Sequence, residues 1–226
     1  SRAALVAYRN RLYAIGGWNG TNLAEVGVAS LLGDGTVGAW TTTTALPAAR
    51  SAHTANAHGG FVYVVGGTLA GGKTADVRVA RVGEDGALDN WAASTALSAP
   101  RVDHASVVAG DAMYVVGGAG ASSVLAEVSV APIRANGSLG EWAVTASFNT
   151  PRSLHGLAEH NGKLYLVGGN NGMAAIADVQ WAGVRADGTV GNWKQRGTLP
   201  EGRFGHTVEV FNEFIYVIGG RTGGKP

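Results

Sequence analysis

Four arginines stand 51 residues apart, at Arg50, Arg101, Arg152 and Arg203, and a histidine follows each three residues on, at His53, His104, His155 and His206. Acids recur with the same spacing at Glu25, Asp76, Glu127 and Asp178. A guanidinium is a permanently charged planar fork that grips a carboxylate through two parallel hydrogen bonds. A set of them gathered at one mouth would suit an acidic ligand. The same residues have an internal use, in which each arginine binds an acid of its own or a neighbouring repeat and both are structural. The spacing leaves both readings open. For the histidines one rule of the fold suffices, a hydrogen bond to backbone or to a neighbouring carboxylate. Zinc would need three or four ligands converging at about 2.0–2.3 Å, which residues a whole repeat apart rarely achieve. No metal is expected, and His58 and His160 stand outside the pattern singly.

Catalysis needs an acid and a base of separated pKa, or a nucleophile with its base, and identical residues in every repeat do not supply that difference. A non-catalytic chain without a cofactor is therefore expected. The residues that break the repeat carry more information: Trp18, Asn19, Lys73, Ser122, Ser123, Asn170, Asn171 and Met173 follow one strand-like run, and His58, Asp103 and Phe204 lie near another. Loops vary on a repeated scaffold where ligands bind, so Trp18, Asn19, Lys73, Asn170 and Asn171 are the candidate loop contacts. There is no cysteine, hence no disulfide framework or thiolate chemistry. A net charge of +1 without a lysine or arginine cluster argues against a nucleic-acid partner. No apolar run approaches the roughly 18 residues of a membrane span, and nothing fixes the compartment. Asn19-Gly20-Thr21 and Asn136-Gly137-Ser138 fit a glycosylation sequon but read as turns.

What must position these side chains is a unit of about fifty residues. The pair Gly-Gly recurs three residues beyond a tyrosine at Gly16-Gly17, Gly66-Gly67, Gly117-Gly118, Gly168-Gly169 and Gly219-Gly220. With 36 glycines, 46% hydrophobic and only 15% charged residues, this is a low-charge, turn-rich β pattern. Repeats of this length with strand-rich interiors predict the blades of a β-propeller. In the second unit the strands are predicted over 53–58, 61–65, 76–82 and 88–97. The second is a short apolar run suited to burial on both faces. The third alternates, so Val179 and Trp181 share a face with their counterparts and Trp181 reads as core. Asp34-Gly35, Asp85-Gly86, Asn136-Gly137 and Asp187-Gly188 predict type I′ hairpin turns before the fourth strand. Trp40, Trp91, Trp142 and Trp193 then read as wedges between blades.

The Tyr-x-x-Gly-Gly motif, the tryptophan about 24 residues later and the Arg-x-x-His opening the next strand together resemble the kelch repeat over essentially the whole chain. The resemblance implies an all-β propeller of four-stranded antiparallel blades whose first strand lines the channel and whose fourth is outermost. Four complete kelch-like repeats (1–49, 50–100, 101–151, 152–202) and a half repeat (203–226) are expected within one domain, the fifth blade lacking two strands. A propeller of this kind would be part of a longer ring, or a homo-oligomer would complete it. In kelch adaptors that bind acidic peptides, arginines at this same position face the ligand. The expected function is a binding module for a protein, peptide or glycan. The alternative is an enzyme acting on an acidic sugar. The copper radical chemistry known on one kelch propeller needs a cysteine and is excluded.

Overall fold

The computed structural model describes residues 2–223, and its regular structure is all β. Blade 1 comprises β1 (Ala4–Tyr8), β2 (Arg11–Ile15), β3 (Val26–Ser30) and β4 (Thr41–Thr42), hydrogen-bonded in that order. Blade 2 opens with β5 (Thr54–His58) and β6 (Phe61–Val65). A small hairpin of β7 (Thr68–Leu69) and β8 (Gly72–Lys73) intervenes before β9 (Val77–Arg81) and β10 (Ala92–Ala93) complete it. Blade 3 is β11 (Ala105–Ala109), β12 (Ala112–Val116), β13 (Val128–Pro132) and β14 (Ala143–Thr145). Blade 4 is β15 (Gly156–His160), β16 (Lys163–Val167), β17 (Asp178–Gly183) and β18 (Lys194–Thr198). In the half repeat, β19 (Arg203–Phe204) pairs with β22 (Arg221–Thr222) around the hairpin of β20 (Thr207–Phe211) and β21 (Phe214–Ile218). All pairings are antiparallel, giving the propeller blades expected from the repeat, four complete and one half.

Two local features differ from expectation. In the hairpin tips only the glycine has positive φ, +83° at Gly35 and +80° at Gly188, so these are not type I′ turns. The Gly35 N–H donates to the Leu32 carbonyl while the Leu32 N–H donates to Thr36, which closes a three-residue loop with the glycine left-handed. Asp34 then accepts the Thr36 N–H at 2.9 Å, as Asp85, Asn136 and Asp187 do in their own tips. The aspartate side chain caps the turn, so its own backbone need not enter the left-handed region.

The regular fourth strand of blade 2 is Ala92–Ala93, shorter than the predicted 88–97, and part of the segment bonds to the neighbouring blade. The Leu88 N–H donates to the Thr43 hydroxyl at 2.8 Å and the Trp91 indole N–H to the Thr44 carbonyl at 3.0 Å. The segment also keeps contact with its own blade, where Asp89, Ser94 and Leu97 donate to the Arg81, Val77 and Ala75 carbonyls, so it ties two blades together.

The chain groups into two compact units, one running to Val102 and including Ile133–Gly140, the other holding Asp103–Pro132 and the chain from Glu141 onward. Tyr13, Ile15, Val26, Leu46, Val62 and Val64 build the core of the first; Tyr114, Phe148, Leu164, Leu166, Val190 and Trp193 that of the second. Within the first unit β1 lies against β5, and within the second β11, β15 and β20 follow one another.

Candidate functional site

The conspicuous residues meet at the junction between one blade and the next. In the first four pairs the first glycine has φ near +57° and the second near +100°, and in the fifth they are +71° and +86°, all outside what a side chain adopts easily. Space forbids a side chain as well: a Cβ on Gly16 would lie 2.7 Å from the Arg50 carbonyl oxygen, and one on Gly168 equally close to that of Arg203. This close approach lets the second glycine donate to the same carbonyl, Gly17 to Arg50 at 2.8 Å and Gly169 to Arg203 at 2.8 Å. The arginine then turns its guanidinium onto its own blade. Arg50 donates to the Gly66 carbonyl at 3.2 Å and to Asp76 at 2.5 Å; Arg78 also donates to Asp76 at 2.9 Å. Arg152 donates to the Gly168 carbonyl at 2.9 Å and grips both Asp178 oxygens, with Gln180 donating to the same carboxylate. Burial alone would raise the Asp76 and Asp178 pKa values, but these donors outweigh it and hold both carboxyls below the usual range.

Arg50, Arg101 and Arg152 have 0% exposure. In this structure none of the three presents a guanidinium edge to solvent, and Arg50 and Arg152 are paired with acids of their own blades. Arg203 is partly buried and donates to the Gly219 carbonyl at 3.0 Å; among the described residues no carboxylate joins it. Glu25 is exposed, and its carbonyl, not its carboxylate, serves the junction by accepting the Gly16 N–H. Glu127 accepts the Ser129 hydroxyl at 2.8 Å.

A concave site lies instead among the loops of the first two blades. A cleft of about 770 Å³ is lined by Trp18, Leu69, Ala48, Asn22, Ser51 and Arg2, among others. Trp18 and Asn22 pair across the Asn19-Gly20 turn, and Asn19 accepts the Thr21 N–H. The floor is locked: the Ser51 hydroxyl donates to Asn22 at 2.8 Å, and the Asn22 amide donates to the Thr68 carbonyl at 3.1 Å. The Trp18 ring stands 45% exposed at the wall. Lys73 is exposed at the end of β8, outside this lining. Asn170 and Asn171 hold their own loop, accepting the N–H groups of Gly172, and of Met173 and Ala174. Trp18 was legible as a large side chain in a variable loop. Arg2 and Ser51 were not, because neither breaks a pattern.

The chain matches a family model over residues 1–169, described as the KLHDC2/KLHL20/DRC7 Kelch-repeats domain. The chain belongs to the kelch-repeat family. Among curated relatives, it is 27% identical to Kelch-like protein 36 of Bos taurus over 60% of the chain and 22% of that protein. It is 27% identical to the Leucine-zipper-like transcriptional regulator 1 homolog of Drosophila melanogaster over 78% of the chain and 19% of that protein. It is 28% identical to human Kelch-like protein 34 over 80% of the chain and 29% of that protein. The matched regions thus span under a third of each of these relatives.

Within these kelch repeats the histidines are buried at the junction. His206 Nε2 lies 3.2 Å from the Val167 carbonyl of the preceding blade. Burial, and then the charge of the adjacent arginine, lowers the pKa of His53 to about 4 and of His155 to about 3. Both are neutral near pH 7. Trp193 is buried edge-on against Phe148 and donates to the Ala146 carbonyl at 2.8 Å, and Trp91 packs on its unit's core, both as wedges between blades. Trp142 is half-buried, whereas Trp40 departs from the wedge role with its ring 49% exposed. Trp181 differs from its predicted core placement too. It is half-buried beneath two lysines. Among the described residues no three His, Asp or Glu side chains form a metal-binding group, and no helix is long and apolar enough to cross a membrane.

Proposed function

We propose that this kelch unit is a non-catalytic protein-binding module that seats a partner segment in the cleft beside Trp18. Kelch-repeat proteins generally mediate protein–protein interaction, and the cleft is the observation that carries the reading here. Its volume falls within the usual range of about 300–1,000 Å³ for ligand sites. Tryptophan and arginine are the side chains that most often dominate protein contacts. The chemistry favours an apolar side chain near a carboxylate, with Trp18, Leu69 and Ala48 for the first and the exposed Arg2 for the second. A glycan suits it less, because Ser51 and Asn22 are spent on each other and on backbone. An enzyme gripping an acidic sugar would need accessible arginines, and three of the four repeated ones are buried.

The test is display selection of random peptides on the purified chain, followed by affinity measurement on variants. Selected peptides should carry a large apolar residue close to an acid. Trp18→Ala should weaken them about tenfold or more with an unchanged melting temperature. Equal binding by Trp18→Ala would remove the cleft from consideration.

A further inference from the structure

Blade 4 departs from the other blades on one face. Opposite the second-strand tyrosine, where blades 1–3 carry Val28, Val79 and Val130, it has Trp181. At the start of the second strand it has Lys163, where blade 1 also carries a cation, Arg11, but blades 2 and 3 carry Phe61 and Ala112, and at the start of the fourth Lys194 replaces Thr41, Ala92 and Ala143. These exchanges are coupled in space. The Lys163 and Lys194 ammonium groups lie 5.5 and 5.7 Å from the centre of the Trp181 ring. Beside it is a hollow of about 360 Å³ lined by Trp181, Arg185, Asn192 and Lys194. β18, fully exposed, adds Arg196.

No carboxylate among the described residues forms an ion pair with Lys163, Arg185, Lys194 or Arg196. Arg185 donates to the Thr189 hydroxyl and the Val190 carbonyl; the nearby Asp187 is engaged by the Thr189 N–H and hydroxyl. The repeat 152–202 has five cations against four acids, but Glu159, Asp178 and Asp187 are engaged by Gly162, Arg152 and Thr189 and not by these four cations. Lysines do protect exposed sheet edges against pairing, and the register shift between Val179 and Gln180 also interrupts that edge. Edge protection accounts for Lys194 and Arg196. It does not require Lys163 on the second strand or an indole on the third.

We propose that the Trp181 face of blade 4 is a second docking surface, which takes an acidic segment of a protein partner with an apolar or aromatic side chain laid on the indole. The cations are spread over two strands and a hairpin, so one compact anion would not engage all of them, whereas spaced carboxylates along a chain would. Complementary charge of this kind steers encounter and fixes register, and the half-buried Trp181 ring supplies the anchor.

The repeat itself supplies mild variants: Trp181→Val, Lys163→Ala and Lys194→Ala each restore the residue blade 3 carries at that position. The probe is a short labelled peptide of glutamates around one phenylalanine, with its lysine counterpart as control. Binding is expected for the acidic peptide alone, weakening as salt is raised. It should fall about tenfold in the double lysine variant and again with Trp181→Val, while Trp18→Ala leaves it intact, which separates this surface from the cleft. Lys194→Gln, at an exposed position, tests the charge without disturbing packing. The assignment is overturned by absent binding, by binding that the variants leave unchanged, or by a single-stranded oligonucleotide binding as tightly as the peptide.

Discussion

At the scale of single residues, Gly205 and Gly168 separate two costs that glycine conceals. Gly205 has φ +64° with no atom within 4 Å of where a Cβ would stand, so alanine there meets only backbone strain. Gly168 has φ +57°, and a Cβ would also fall 2.7 Å from the Arg203 oxygen and 2.9 Å from the His206 ring. Gly205→Ala should cost about 1 kcal/mol and Gly168→Ala about 3 kcal/mol or more by urea unfolding, the second adding overpacking to strain. Equal costs would contradict the account of the Gly-Gly pair. The importance of that pair was legible from spacing alone. The counterparts of Gly205 were not: Ala52, Asp103 and Leu154 are all left-handed, with φ between +52° and +54°. Leu154 donates to the Asp103 carbonyl at 2.8 Å and Gly205 to that of Leu154 at 2.7 Å, so the strained turn links successive first strands. Alanine, aspartate and leucine give no sign of positive φ, and only the rigid 51-residue period could have transferred the clue from Gly205.

Between elements, the junctions depend on neutral histidines, and the pH dependence of stability follows. His53 and His155 have folded-state pKa values of about 4 and about 3 against 6.5 when exposed. A depressed histidine pKa means the unfolded chain binds the proton more readily. Stability is therefore complete above pH 6.5 and is lost as pH falls from there towards 4 for His53 and 3 for His155. The carboxylates of Asp76 and Asp178, also depressed, act only below about 4. The interval between pH 6.5 and 4 thus belongs to the histidines. Urea midpoints should decline across it, by up to about 1.4 kcal/mol per pH unit for each such histidine, and His155→Gln should flatten the decline. A slope that survives in that variant undiminished would assign the dependence elsewhere. The second and third strands were legible as elements because burial and alternation determine them. The bounds of the fourth were not, since its segment divides its hydrogen bonds between its own blade and the neighbouring one, which no window of local sequence contains.

At the scale of the whole chain, the half repeat presents a sheet face that nothing described covers. Phe214, Tyr216 and Ile218 alternate along β21 and so share one face, each 45–66% exposed, with Phe211 of β20 also exposed. In blade 3 the residue equivalent to Tyr216, Tyr114, is fully buried and donates to the Gly188 carbonyl of the next hairpin tip at 2.7 Å. Contiguous apolar surface of this kind, on a hairpin with an open edge, drives association. The 226-residue chain should therefore show a mass above 22.9 kDa by light scattering that rises with concentration. Replacing Phe214 and Ile218 with serine, at positions where little packing is lost, should return it to the monomer mass without lowering the melting temperature. A chain that is monomeric at every concentration, or a double variant that associates as before, would show that this face is not what brings copies together.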